Sequence, residues 1–299
     1  MDRAPYAALA VAVVCVSFSA IFILWSESPP LLIAAYRLTF ASLILLPFAL
    51  LEKPRSFRDL SRADLAKLAG VGLLLASHFA LWITSLKSPG VSVASSVVLV
   101  TSHPILVAGF SHFVFRERVT TTMAVGIALG FSGVFAIAGG DVRQSPAVFA
   151  ADFLSFLAGV AVAFYFLAGR RLRQRISLLS YVFPAYAVAA GLLWALVFAS
   201  GTSPVPTGSV GRELALFLAM ALIPQIGGHT LYNWSLRYVP APVVSLSLVG
   251  EPIGSSLLAW WLLGQTPSPY VALGAALIIA GIALTVSAGI DSARRAQPA

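Results

Sequence analysis

The amino-acid sequence predicts an all-α membrane protein with ten transmembrane helices in two inverted five-helix repeats. Composition is the first reason. Of 299 residues, 59% are hydrophobic and only 10% are charged, whereas about a quarter of a soluble domain is charged. The second reason is that apolar runs of about 20 residues, long enough to cross a bilayer as helices, recur from end to end. The third is that residue patterns of the first half return in the second half.

Ten apolar spans follow one another along the chain, joined by short connections that leave no room for a soluble domain. They lie at 6–25, 31–51, 65–86, 91–114, 120–138, 149–168, 178–199, 213–236, 240–263 and 268–288. The first span follows Arg3, as in a signal peptide, but it is too long for the apolar core of one. We therefore expect it to be retained as the first helix.

Basic side chains predict how the spans are oriented. Fifteen of the nineteen lysine and arginine residues lie at the termini and in alternate loops, which the positive-inside rule assigns to the cytoplasm. Both termini are then cytoplasmic, and this requires an even number of spans. These basic residues of the loops and termini account for the net charge of +8. We therefore expect the protein to lie in a lipid bilayer and not to have nucleic acid as a partner.

The chain repeats itself over about half its length. Ser-Leu-Lys at 85–87 matches Ser-Leu-Arg at 235–237, an offset of 150 residues. Matches at an offset of 148 pair Pro104, Gly126 and Gly133 with Pro252, Gly274 and Gly281. Because one repeat has five spans, an odd number, the halves insert in opposite orientations about a pseudo-two-fold axis in the membrane plane. We assign residues 1–140 to the first repeat and 147–290 to the second.

Polar and aromatic side chains form stripes on four of the predicted helices, at spacings that keep them on one helical face. We predict that these stripes line one wet cavity between the repeats, where transporters of this architecture bind substrate. The candidate substrate-binding residues are His78, Trp82, Ser92, Ser96, His103, His229, Tyr232, Ser247 and Glu251. For the serines alone, close helix packing without a cavity is the better interpretation. The histidines beside tryptophan and tyrosine favour the cavity.

Glu251 lies near the middle of the ninth span and Pro252 follows it. An ionised carboxylate at membrane depth costs at least a few kcal/mol, so such residues usually face a cavity or a partner. The proline lacks a backbone donor and kinks a helix. His103 and Pro104 are the repeat mates, so we expect both titratable residues near the midplane, where protons are a candidate coupling ion. The alternative is an acid buried only for packing.

Other residues are expected to be structural. Arg37 lies roughly 10 Å into the second span at 1.5 Å per residue, and we expect it at the periphery, snorkelling outward or structural. Glycines of the fifth and tenth spans should allow close backbone approach. With Cys15 as the single cysteine and no P-loop, His-Glu-x-x-His or Gly-x-Ser-x-Gly motif, we predict no metal, no cofactor and no enzyme.

Three segments resemble the EamA-type drug/metabolite transporters. They are Pro-Pro-Leu-Leu-Ile-Ala-Ala-Tyr-Arg-Leu at 29–38, Arg-Glu-Arg-Val-Thr at 116–120 with the glycines that follow, and Glu251-Pro252. Within that superfamily the chain resembles bacterial amino-acid exporters of the YddG type. The resemblance implies two EamA repeats, a bacterial inner-membrane location and metabolite export. The second repeat departs from it, with Gln265 and Thr266 where the first has Glu117 and Arg118.

The leading hypothesis is a carrier that exports small metabolites, foremost amino acids including aromatic ones, by alternating access through the cavity. A monomer suffices for this, and an oligomer is left open. One alternative is a carrier of sugar phosphates or nucleotide sugars, which would require several fixed cations in the cavity. Another is an intramembrane enzyme or a lipid-handling subunit. An enzyme would need a nucleophile paired with an activating base.

Overall fold

The structure is a computed structural model that describes residues 4–52, 60–106, 120–238, 247–248 and 250–295. Helices account for most of these residues, and no strand occurs in the described ranges. In chain order the helices are α1 (Ala4–Ser17), α2 (Ser19–Trp25), α3 (Pro30–Leu51), α4 (Arg62–Leu86), α5 (Val93–Val100), α6 (Thr121–Gln144), α7 (Pro146–Leu172), α8 (Leu178–Ala199), α9 (Val210–Met220), a π-helix (Ala221–Thr230), α10 (Leu231–Ser235), α11 (Gly250–Leu263) and α12 (Pro269–Arg295).

Seven helical stretches of the described residues are long and apolar enough to cross a membrane. They are Ala4–Trp25, Pro30–Leu51, Arg62–Leu86, Thr121–Gln144, Pro146–Leu172, Leu178–Ala199 and Val210–Ser235. Two further apolar helices, Val93–Leu106 and Pro269–Thr285, are shorter. Parts of the fourth and ninth predicted spans lie outside the described residues, at 107–114 in the fourth and at 240–246 and 249 in the ninth. The all-helical membrane class is as the sequence predicts, while the count of ten stays a prediction.

Serine residues begin several of the long helices. At the start of α4, the Ser61 hydroxyl accepts from the Asp64 backbone N–H at 3.1 Å, and the Asp64 carboxylate accepts from the Ser61 N–H at 3.2 Å. Ser177 caps α8 in the same way, accepting from the Ser180 N–H at 3.2 Å. These caps satisfy backbone donors that a helix start leaves unpaired, so the sequence itself marks where these helices begin.

Helices α6 and α12 pack together through two pairs of glycines. A Cβ atom on Gly126 would lie 2.8 Å from the Gly281 carbonyl oxygen, and one on Gly281 would lie 2.6 Å from the Gly126 oxygen. Gly133 and Gly274 have the same reciprocal relation, at 2.5 and 2.7 Å. The backbones are therefore in contact, as predicted. The residue numbers of the contacts increase along α6 while they decrease along α12, so the two helices run antiparallel.

The remaining long helices enclose a buried interior, in which α3 packs on α8 and α4 packs on α7. The eighth predicted span contains the π-helix, where the sequence had indicated a regular α-helix. A π-helix has a wider turn than an α-helix, and within this one the Thr230 hydroxyl donates to the Gln225 carbonyl, five residues earlier, at 3.3 Å. Such turns occur often at functional sites, because they change which residues of a helix share a face.

Candidate functional site: a central cavity

A small cavity lies between α1, α2, α4, the end of α5, α7, the end of the π-helix with α10, and the start of α11. We call it the central cavity. Six of the nine predicted site residues line it, namely His78, Trp82, His103, His229, Tyr232 and Glu251, together with Val16, Ser19, Val100, Thr101, Val162, Phe166 and Leu248. Its volume of about 30 Å³ is the space of a water molecule or two. Sites for small ligands measure several hundred Å³, so a metabolite would require the surrounding helices to separate.

Two histidines in the lining are oriented by backbone carbonyls. The Nδ1 atom of His78 lies 3.1 Å from the Ala158 carbonyl oxygen, and that of His103 lies 3.2 Å from the Val100 oxygen. Because a carbonyl only accepts, each Nδ1 carries the proton and each neutral ring has Nε2 as an acceptor. The His103 ring also stacks on Phe166 with centroids 5.3 Å apart.

Several buried polar atoms of the central cavity have no hydrogen-bond partner among the described residues. They are Trp82 Nε1, His103 Nε2, His229 Nδ1 and the Tyr232 hydroxyl. Leaving such an atom unpaired costs about 1–3 kcal/mol, so native structures usually pair them with protein, water or ligand. Donors and acceptors from three different spans therefore converge on one small space, as expected for the binding of a polar solute.

Glu251 is the one acid among the described residues that line the central cavity. It lies in the first turn of α11, and its backbone N–H donates to the Leu248 carbonyl at 3.1 Å. Pro252 is in the same turn, where the missing N–H of a proline removes no hydrogen bond within the helix. Glu251 thus shares the lining of the central cavity with His103, His229 and Tyr232.

The structure does not bring the three predicted serines to the central cavity. Ser92 caps α5 by accepting from the Ser95 N–H at 3.0 Å. The Ser96 hydroxyl is 2.8 Å from that of Ser155, which in turn donates to Ser85 at 2.8 Å. Ser247 is partly buried and outside the lining. The buried chain of hydroxyls joins α5, α7 and α4, so Ser96 contributes to close helix packing.

Arg37 is the residue whose position the sequence interpretation missed. The prediction that it is peripheral or snorkels outward is wrong, because its side chain is fully buried. Its Nε donates to Gln225 Oε1 at 2.9 Å and its Nη1 to the Ser19 hydroxyl at 2.8 Å. Its guanidinium carbon lies 4.2 Å from the centre of the Phe79 ring. An arginine within an apolar span was itself a signal for a functional residue.

A second polar cluster lies at one end of the helices, around the buried carboxylate of Glu213. This carboxylate accepts from the hydroxyls of Ser26 and Ser28 and from the backbone N–H groups of Glu27, at 3.0 Å, and Ser28. The Lys87 ammonium donates to the Ser26 carbonyl at 2.6 Å. Burial lowers the pKa of Lys87, and the carboxylates of Glu213 and Glu27 oppose that shift. These bonds hold the connection between α2 and α3 against the start of α9.

The opposite end is held by a different set of contacts. The buried Arg173 donates from Nε to the Asn233 carbonyl at 3.1 Å, and Arg175 forms an ion pair with Asp64. Burial lowers the pKa of Arg173. Polar contacts therefore join the helices at both ends of the molecule, with the central cavity between them.

These features define a class of protein. It is a multi-pass helical membrane protein with a polar and aromatic cavity between its spans, the arrangement in which carriers bind solutes. The chain belongs to the EamA-like transporter family, whose model matches residues 4–139 and again 149–287. The resemblance drawn from its sequence segments is thereby confirmed at the level of the family.

Relatives of known name are transporters. The uncharacterized transporter YdfC of Bacillus subtilis is 24% identical and aligns over 85% of this chain and 80% of its own length. The uncharacterized inner membrane transporter YedA of Escherichia coli is 26% identical and aligns over 89% of this chain and 88% of its own length. A probable terminal-alkyne amino-acid exporter of Streptantibioticus cattleyicolor is 26% identical and aligns over 83% of this chain and 81% of its own length.

A solved crystal structure shares the fold. It superposes with a TM-score of 0.67 and covers 95% of this chain and 98% of its own, at 22% sequence identity. At that identity the likeness concerns the arrangement of the helices alone.

Proposed function

We propose that this protein is an inner-membrane carrier that exports small amphipathic metabolites, foremost amino acids including aromatic ones, by alternating access. The observation that carries the proposal is the central cavity, where an acid, three imidazoles and two further aromatic polar side chains share one lining. Four of their buried polar atoms lack protein partners among the described residues. Trp82, Tyr232 and Phe166 offer ring faces to an apolar side chain, and Glu251 offers an acceptor to an ammonium group.

The proposal includes ten spans in two inverted repeats, residues 1–140 and 147–290, with the central cavity between them. The glycine contacts support it. A two-fold that carries Gly126 onto Gly274 also carries Gly281 onto Gly133, so it exchanges the two observed contacts. The packing of α4 on α7 likewise corresponds to that of the π-helix and α10 on α1. Two separate matches to one family model agree with the same division.

Amino acids are preferred over the alternative substrates for two reasons. A sugar-phosphate or nucleotide-sugar carrier requires several cations that contact the phosphate, and no lysine or arginine is among the described residues that line the central cavity. One relative is named as a probable amino-acid exporter.

The alternative of an intramembrane enzyme would require a nucleophile beside an activating base. The relatives reported above carry the names of transporters.

Transport by the purified protein in liposomes tests the proposal. Labelled amino acids, sugar phosphates and nucleotide sugars are offered in parallel, with protein-free liposomes as the control. We expect saturable uptake of at least one amino acid with an apolar or aromatic side chain. Uptake of the phosphorylated compounds without any amino acid would contradict the proposed substrate class. A run at several imposed pH gradients then tests protons as the coupling ion.

A further inference from the structure

Arg37 has an electrostatic arrangement that helix packing alone does not require. Its guanidinium is fully buried, and its hydrogen-bond partners among the described residues, Ser19 and Gln225, are both neutral. Its Nη2 atom has no partner among those residues. Burying a cation without a hydrogen-bonded counter-charge costs several kcal/mol. A neutral side chain on α3 would contact α2 and the π-helix without that cost.

Ser19 connects this buried cation to the central cavity. The Ser19 side chain accepts from Arg37 Nη1 at 2.8 Å and also belongs to the cavity lining. The guanidinium therefore lies directly behind the wall, with one hydroxyl between. Because Ser19 accepts from a cation, its own hydrogen is polarised and can be donated to an acceptor inside the cavity. An anionic oxygen is the acceptor that gains most from this arrangement.

The opposite charge is supplied by Glu251 in the same lining. Ionised Glu251 carries the charge opposite to that of Arg37, and opposite charges attract each other across an interior of low dielectric constant. Trp82, Phe166 and Tyr232 contribute aromatic surface to the lining. The site thus combines an acid, a masked cation and ring faces, whereas a site for organic amines needs only the acid and the rings.

We propose that Arg37, acting through Ser19, recognises the carboxylate of the transported solute and makes the carrier select amino acids over the corresponding amines. The inference rests on the proposed function and assigns a specificity-determining residue to the same site. Glu251 takes the ammonium group, and Arg37 with Ser19 takes the carboxylate. Attraction between Arg37 and Glu251 partly balances the two buried charges when no solute is present, and a zwitterion balances each of them when bound.

The test compares three forms of one solute in liposomes. Phenylalanine, or the best-transported amino acid of the panel, is compared with its decarboxylated amine and its N-acetyl derivative. We expect the unmodified protein to transport the amine at least about tenfold more slowly than the amino acid, because a charge-assisted hydrogen bond is lost. Equal rates for the amine and the amino acid would overturn the inference.

Variants separate recognition from packing. Ser19→Ala should lower the amino-acid rate about tenfold and change the amine rate much less, and Arg37→Gln should lower the ratio of the amino-acid rate to the amine rate further. Arg37→Lys, which keeps the charge, should restore part of the selectivity. Ser17→Ala is the matched control, because the Ser17 hydroxyl donates to the Val13 carbonyl of its own helix and lies outside the cavity lining. It should leave the ratio of rates unchanged.

The outcomes are distinguishable from failure of the proposed function. If the unmodified protein moves none of the compounds, the proposed function fails. If it moves amino acids but Ser19→Ala lowers the amino-acid and amine rates by the same factor, only the role of Arg37 and Ser19 fails. Ser19→Ala keeps the test decisive if Arg37→Gln does not fold. This substitution replaces a hydroxymethyl group at the cavity wall by a methyl group and leaves the Arg37 side chain in place.

Discussion

The imidazole rings of His78 and His229 lie 6.2 Å apart at the central cavity, inclined by 64° to each other. The two residues occupy nearly corresponding places in the two halves of the sequence, in the third and eighth predicted spans. Their hydrogen bonds differ, because His78 Nδ1 is held by the Ala158 carbonyl, whereas His229 Nδ1 has no partner among the described residues. The two halves thus meet at the cavity with similar residues in unequal environments.

The first prediction concerns the acid of the central cavity. Glu251→Gln keeps the size and hydrogen-bonding capacity of the side chain but removes its charge, so transport should fall at least about tenfold while the protein stays folded in the membrane. The measurement is liposome transport as a function of pH, with thermal unfolding in detergent to verify folding. Glu52→Gln is the control, because the Glu52 carboxylate accepts from Ser180 at 3.1 Å outside the cavity lining. Normal transport by Glu251→Gln at every pH would refute a functional acid.

A second prediction is that the central cavity becomes accessible to water during transport. In a Cys15→Ala background, cysteine at position 82 or 232 should react with a small polar thiol reagent, because both side chains line the cavity. Ser155→Cys is the matched control, since Ser155 is fully buried in the chain of serine hydroxyls and outside the lining. Mass spectrometry of labelled, active protein measures the reaction. Protection of both cavity positions, with labelling at position 155, would count against a shared cavity.

The third prediction tests the contact between α6 and α12. Gly133→Ala should destabilise the protein by about 1–3 kcal/mol, because the new methyl group would meet the Gly274 carbonyl oxygen at 2.5 Å. Gly139→Ala on the same helix is the control, because a Cβ atom there has nothing within 4 Å. Alanine favours a helix by about 1 kcal/mol over glycine, so that variant should be neutral or slightly stabilised. Thermal unfolding in detergent compares the two, and equal effects would argue against backbone contact.

The fourth prediction contrasts two acids that are close in space. Glu213→Gln should destabilise the protein by about 1–3 kcal/mol, because the buried carboxylate accepts from Ser26 and Ser28 and only one amide oxygen replaces it. Glu27→Gln should have little effect, since its ion pair with Arg212 at 2.9 Å is solvent-exposed on both sides. Unfolding measured for both variants at low and high salt distinguishes them. A larger loss for Glu27→Gln would show that the buried cluster is not what holds this end together.

The fifth prediction concerns orientation in the membrane. Reporter fusions at positions 173 and 299 should read as cytoplasmic and one at position 207 as periplasmic, because basic residues concentrate on the side of the termini. The measurement is paired alkaline phosphatase and fluorescent-protein activity in whole cells. With the N-terminus in the cytoplasm, a periplasmic C-terminus would require an odd number of spans and would overturn the count of ten.

The sequence by itself determined the class of protein and most of the cavity. Apolar runs dictate helices that cross a bilayer, because no other local structure satisfies the backbone there. Helical periodicity placed His78 with Trp82 and His229 with Tyr232 on common faces, and the structure has all four in one lining. The close backbone approach at the glycines of α6 and α12 could also be predicted from the sequence, because only glycine lets two backbones approach so closely.

The tertiary structure decided what depends on the partner of each side chain. Whether Arg37 snorkels or is buried is set by Ser19 and Gln225 on other helices, and nothing in its own span reveals them. The serines have the same spacing as cavity residues, yet Ser96 bonds to Ser155 of α7. The π-helix at Ala221–Thr230 is likewise a product of packing, because local propensity alone favours the tighter α-helical turn.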